Sequence, residues 1–120
     1  MRLIIHNING VKISDLSDDE YQIKTVQDVL DLMVESDEQG ARNLIIFKNN
    51  LLPEFFDLKT GIAGEIVQKF STYDMRLAIV GDFSKYHSKS LKDFIYESNH
   101  TGRIIFVNSV EKALEKFTPK

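Results

Sequence analysis

Short apolar, β-branched runs alternate along this chain with longer stretches whose apolar residues recur at helical spacing. Leu44–Phe47, Leu77–Val80 and Ile104–Val107 are runs of the first kind. Between them lie Val26, Val29, Leu30, Met33 and Val34, then Leu58, Ile62, Ala63, Ile66, Val67 and Phe70, then Leu91, Phe94 and Ile95. Strands that alternate with helices require crossover connections, and crossovers produce parallel strand pairs. This pattern sets the fold class as α/β.

Local signals place the boundaries. Leu3–His6 and Val11–Ser14 flank Asn9-Gly10, a strong tight-turn pair, and read as an antiparallel hairpin. An acidic loop is expected from Asp15 to Glu20. Thr25 is placed to cap the first helix, with Asp28 at the capping-box position and Gly40 as its stop. A second helix is expected over Leu58–Thr72, opened by Asp57. Ser90 and Asn108 are the expected caps of the third and fourth helices, and Asn99 the expected end of the third. The predicted order is β-β-α-β-α-β-α-β-α: a single domain over residues 1–120, with a mixed, mainly parallel sheet, an N-terminal hairpin and flanking helices.

A length of 120 residues suits one compact domain. The net charge of −3 argues against a nucleic-acid partner bound through an overall positive field. There is no cysteine, so disulfides, thiolate metal sites and cysteine nucleophiles are excluded. No run approaches the roughly 20 apolar residues of a membrane helix. With no export signal visible, a cytoplasmic protein that does not engage a membrane is the expectation.

In sheets of this class, ligands bind beyond the carboxyl ends of the strands. The loops expected there carry Asn49, Asn50, Asp82, Ser84 and Lys85 as candidate ligand-binding residues. Asp57-Leu58-Lys59-Thr60-Gly61 opens the second helix, where exposed amides favour an anion and Thr60 presents a hydroxyl. No phosphate-cradling glycine loop and no nucleophile signature is present, and the three histidines show no metal-ligand spacing, so no cofactor, metal or catalytic residue is expected. Leu51, Leu52, Phe55 and Phe56 crowd one loop, which reads as a partner or self-association surface or as an anchor in the core.

The stretch from Phe56 to Phe70, then Leu77 to Ser84, then Phe94 to Asn99, resembles the bacterial domain of unknown function 4180, a family with no established activity. More distantly, the element order is similar to the STAS domain of sulfate transporters and anti-sigma factor antagonists. That resemblance implies a phosphoacceptor at Thr60, before Gly61, with Asp57 as the upstream acid. This chain has one residue more between acid and hydroxyl than the STAS pattern, Leu58 and Lys59 standing where one Ser would be. The expected function is a cytoplasmic binding or regulatory domain acting through contact with an unknown protein, with a homodimer as the expected assembly. The alternative is a small-molecule or nucleotide binder, or a weak enzyme, using the carboxyl rim.

Overall fold

The structure is a computed structural model that describes residues 3–17 and 20–119. Five strands form one sheet in the order β1-β2-β3-β4-β5. They are β1 (Leu3–Ile8), β2 (Val11–Leu16), β3 (Asn43–Phe47), β4 (Arg76–Val80) and β5 (Ile104–Val107). The helices are α1 (Val26–Glu38), α2 (Ile62–Thr72), α3 (Lys89–Thr101) and α4 (Val110–Phe117). This is the mixed α/β domain expected from the sequence, with β1 antiparallel to β2 and every later pairing parallel.

The hairpin forms because Asn9 and Gly10 both take positive φ, 53° and 84°. Such a turn matches the right-handed twist of the strands it joins. Register then runs from Leu3 opposite Leu16 to Ile8 opposite Val11. β2 is therefore longer than predicted. Asp15 belongs to it and is buried, not part of an acidic loop. Positions 18 and 19 of that expected loop lie outside the described residues.

Strand order follows chain order without reversal. Right-handed crossovers that always step the same way must put their helices on the same face. The core divides accordingly. Leu16, Leu44, Ile46, Leu77, Ile79 and Phe106 pack against Leu32 and Met33 of α1 and Ile66 and Phe70 of α2, with Phe94 and Ile95 of α3 beside them. The alternate residues Ile13, Ile45, Ala78, Val80 and Ile105 pack on the other face against Ala113 and Phe117 of α4. A sheet that never reverses has no topological switch point, the place where open α/β sheets form their ligand crevice. The rim expected from the sequence thus has no crevice of that particular origin.

Cap positions refine the predicted boundaries. Thr25 caps α1 with the full capping box through Asp28. Ser88, not Ser90, caps α3, accepting from the Leu91 amide, and Ser109, not Asn108, caps α4, accepting from Lys112. In each case a nearby serine reaches the first free amides, while the predicted residue falls one or two places off. α3 runs on past Asn99 to Thr101 and ends at Gly102, whose φ is 82°. The Asn99 side chain instead accepts from the Phe106 amide at 2.7 Å, tying α3 to β5. The expected second helix is two pieces: a single 3-10 turn at Leu58–Thr60, then α2 from Ile62. Gly61 separates them with a φ of 78°, a left-handed conformation that costs glycine little.

Candidate functional site

The loops at the carboxyl ends of β3 and β4 are locked together by aromatic rings. Phe56 stacks on Tyr86 at 5.1 Å between centroids, and Phe83 meets Phe106 edge-on at the same distance. Phe55 packs edge-on against Phe56 at 5.0 Å. Lys48 lies across the junction. Its ammonium sits 4.9 Å from the Tyr86 ring centre and donates to the Asp82 carbonyl at 3.0 Å. The Lys48 stem passes so close to Gly81 that a Cβ there would fall 2.6 Å from the Lys48 Cβ.

This packing sets the surroundings of the residues singled out from the sequence. Asn50 is fully buried, not a rim ligand. Its side chain accepts from the Phe47 amide at 2.8 Å and donates to the Tyr21 carbonyl at 2.9 Å, and its own carbonyl takes the Ile23 amide at 2.7 Å. Leu51 and Phe55 are 7% and 3% exposed, so these two are core anchors and present no outward patch. Leu52 and Phe56 are half-buried. Asp57 accepts from the Lys59 amide and so caps the short turn before Gly61 rather than α2. The Thr60 hydroxyl lies 3.0 Å from the Glu54 carbonyl and 2.9 Å from that of Asp57, donating to this pair, and accepts from the Ile62 amide at 3.3 Å. It is engaged in holding its own loop.

Asp82 and Ser84 form a closed turn. The Asp82 carboxylate accepts from the Ser84 hydroxyl at 2.6 Å and its amide at 3.0 Å. These two hydrogen bonds, aided by the charges of Lys85 and Lys48, hold the carboxyl below its ordinary pKa. Asn49 and Lys85 are exposed. The neighbouring depressions, of about 580 and 670 Å³, are open to solvent. Among the described residues no cluster of three or more His, Asp and Glu is arranged to hold a metal. His6 instead bonds one oxygen of Asp15 at 3.0 Å on the sheet face that carries α4.

A different surface draws together features that the sequence reading left apart. α1 carries Asp28, Asp31, Glu35, Asp37 and Glu38 and no basic residue. Helical periodicity assigned Val34 to the buried face, but it is 57% exposed. Its neighbours at three and four residues' distance include Asp31, Asp37 and Glu38. Beside it, Leu30, Met33, Met75 and the 54%-exposed Tyr73 line a groove of about 320 Å³, closed at one end by the Asp37–Arg42 ion pair at 2.7 Å. The field of α1 reaches further. Burial first, and then the carboxylates of Asp28, Asp31 and Glu35, raise the Tyr21 phenol above its ordinary pKa. The one signal available in the sequence was the run of acids in a helix lacking any base.

The fold and these surfaces define an α/β domain whose sheet is crossed three times in one direction, with an apolar recess on a helix face as well as open depressions at the strand ends. A family described as Domain of unknown function (DUF4180) matches residues 8–117, and the chain belongs to that family. No curated protein and no solved structure matches it. Among the described residues no helix is long and apolar enough to cross a membrane.

Proposed function

We propose that this domain is a regulatory binding module that acts through protein contact, and that its partner presents a basic amphipathic segment to the groove between α1 and Tyr73. The observation that carries the reading is Val34, an exposed β-branched residue among acids at the mouth of an apolar recess. An isolated exposed apolar residue is unremarkable, but an apolar recess beside a helix that carries only acidic charges, the recess's one arginine already paired with Asp37, suits a segment with apolar anchors and lysine or arginine flanks. Charge of this kind speeds encounter and selects partners more than it adds affinity.

Selection of random peptides displayed on phage against the purified domain tests this. Recovered peptides are expected to combine Leu, Ile or Phe with Lys or Arg. They should lose at least about tenfold in affinity for Val34→Glu, the scale of a single lost anchor. Their binding should also weaken with salt. Peptides without a basic bias, or equal binding to Val34→Glu, would overturn the proposal. So would a dimer seen by light scattering that Val34→Glu dissolves, since the groove would then belong to a second copy.

A further inference from the structure

Each parallel strand after β2 starts at an arginine. Arg42 immediately precedes β3, Arg76 opens β4 and Arg103 immediately precedes β5. The Arg76 amide donates to the Arg42 carbonyl, and the Leu77 amide to the Arg103 carbonyl, both at 3.0 Å. The parallel register therefore brings all three to the amino rim of the sheet. They line one depression of about 400 Å³ together with Asn43, Asp74 and Thr101. Asp74 is the one acidic residue lining it, and Arg42 pairs with a second carboxylate, that of Asp37, so three guanidinium groups meet two carboxylates in a chain whose net charge is −3.

The donors of these arginines are unequally used. Arg42 directs Nη1 to Asp37, Nε to the Asp74 carbonyl, and Nη2 to the carbonyls of Tyr73 and Asp74. It closes the carboxyl end of α2, the usual task of a cation there. Arg103 directs only Nη1, to the Asp74 carboxylate at 3.1 Å and the Met75 carbonyl at 3.0 Å. Arg76 directs Nε to the Asn43 side chain at 3.0 Å and Nη2 to the Phe117 carbonyl at 3.3 Å, with its guanidinium 4.8 Å from the Phe117 ring centre. A guanidinium carries five N–H donors. Among the described residues, Nη1 of Arg76 and both Nε and Nη2 of Arg103 have no acceptor, and no carboxylate pairs with Arg76.

Helix ends answer only part of this surplus: α3 ends at Thr101 beside the depression, and the Phe117 carbonyl at the end of α4 takes one Arg76 donor. The carboxyl end of α2 carries partial negative charge, but its carbonyls meet Arg42. Arg76 lies toward α4, on the other face of the sheet. It is half-buried, and desolvation, followed by repulsion from Arg103, holds its pKa below the ordinary value. Two like charges that line one depression and repel each other, with donors to spare, are stabilised by an anion placed between them.

The geometry points to a binding site for a small oxyanion of the phosphate type, free or as a monoester, held by Arg76 and Arg103 and walled by Arg42 and Thr101. Guanidinium forks match phosphoryl oxygens, and a tetrahedral anion can offer acceptors to two forks at once, where a monocarboxylate has only two oxygens.

The test is a titration of the full chain followed by ¹H–¹⁵N NMR at constant ionic strength. Inorganic phosphate, glycerol phosphate and acetate are added in separate arms. Saturable shifts are expected at the amides of Asn43, Arg76, Gly102 and Arg103, from at least one of the two phosphates and much more weakly from acetate. Which phosphate binds tells a free ion from an ester. Arg103→Gln should weaken binding roughly tenfold or more, the scale of one charge-assisted hydrogen bond. Arg76→Lys keeps the charge but removes the fork, and should weaken it as well. Because Arg76 also supports Phe117, a melting curve for each variant separates lost binding from lost folding. Shifts linear in concentration or scattered over surface lysines, an adventitious ion only, would overturn the site. So would two folded variants that bind phosphate like the parent chain. No peptide enters this experiment, so its result is independent of the α1 groove.

Discussion

The Asn50 side-chain amide donates to the Tyr21 carbonyl at 2.9 Å, joining the segment before α1 to the loop after β3 across 29 positions of sequence. With the Phe47 amide bonded to its oxygen, this buried side chain stands in for backbone pairing that irregular chain cannot supply. Asn50→Ala should therefore leave a carbonyl and an amide unpaired. A loss of about 2–5 kcal/mol is expected from two such groups. Urea denaturation would show it as a lower midpoint at unchanged slope, and a loss below about 0.5 kcal/mol, the range of neutral surface changes, would contradict the role.

The alternation of periods made the α/β class, the hairpin and the strand cores legible, because burial on a sheet or helix face repeats at fixed intervals. Thr25 and Asp28 were readable as a capping box because all their partners are local. Asn50 was not readable, because an asparagine in a polar loop looks the same whether it faces solvent or a distant carbonyl. The inward turn of Leu51 and Phe55 depends on the packing of the Pro53–Phe56 turn against α2, a tertiary fact. The arginine cluster escaped for the same reason. Its successive members are 34 and 27 residues apart and meet only through parallel register. Val34 misled because its period is helical while its neighbouring surface is uncovered.

Gly81→Ala should disturb the rim at a distance. The added Cβ would meet the Lys48 Cβ at 2.6 Å, close to the backbone where the side chain has little freedom to yield. Displacing that stem would break the bond to the Asp82 carbonyl and move the ammonium from Tyr86. A destabilisation of about 1–3 kcal/mol is expected from such overpacking. Calorimetry measures it, and loss of the Lys48–Tyr86 contact should appear as a changed Tyr86 ring shift by NMR.

The Asp82 carboxyl should titrate below the ordinary carboxylate range, chiefly because the Ser84 hydroxyl and amide bond its charged form. A depressed folded-state pKa means that the stabilising contribution is present above the unfolded value. It is lost as pH falls through the folded one. Ser84→Ala should move the midpoint upward, as seen by side-chain carbon NMR. An unchanged midpoint in that variant would show that the Ser84 hydroxyl does not set it, leaving the retained amide and the lysines.

Thr60 should behave as a local brace. Thr60→Val keeps the shape but removes the hydroxyl from the Glu54 and Asp57 carbonyls, and about 1 kcal/mol should be lost. Thr60→Glu should cost more, since it places a charge beside those two carbonyls. Equal stability of Thr60→Glu and the parent chain, together with phosphate mapped to Thr60 in native protein, would instead support the modification that the STAS resemblance implies.

Strands that neighbour one another in sequence also neighbour one another in space, so during synthesis each emerging strand finds its partner already made. Pairings of this short span close quickly and need no long excursion of unfolded chain. One surface is the exception. Ile13, Ile45, Ala78 and Ile105 have been made, one after another, before α4 arrives to cover them. A nascent chain of this protein therefore exposes an apolar face until α4 docks on it, and that interval is its window of exposure to aggregation.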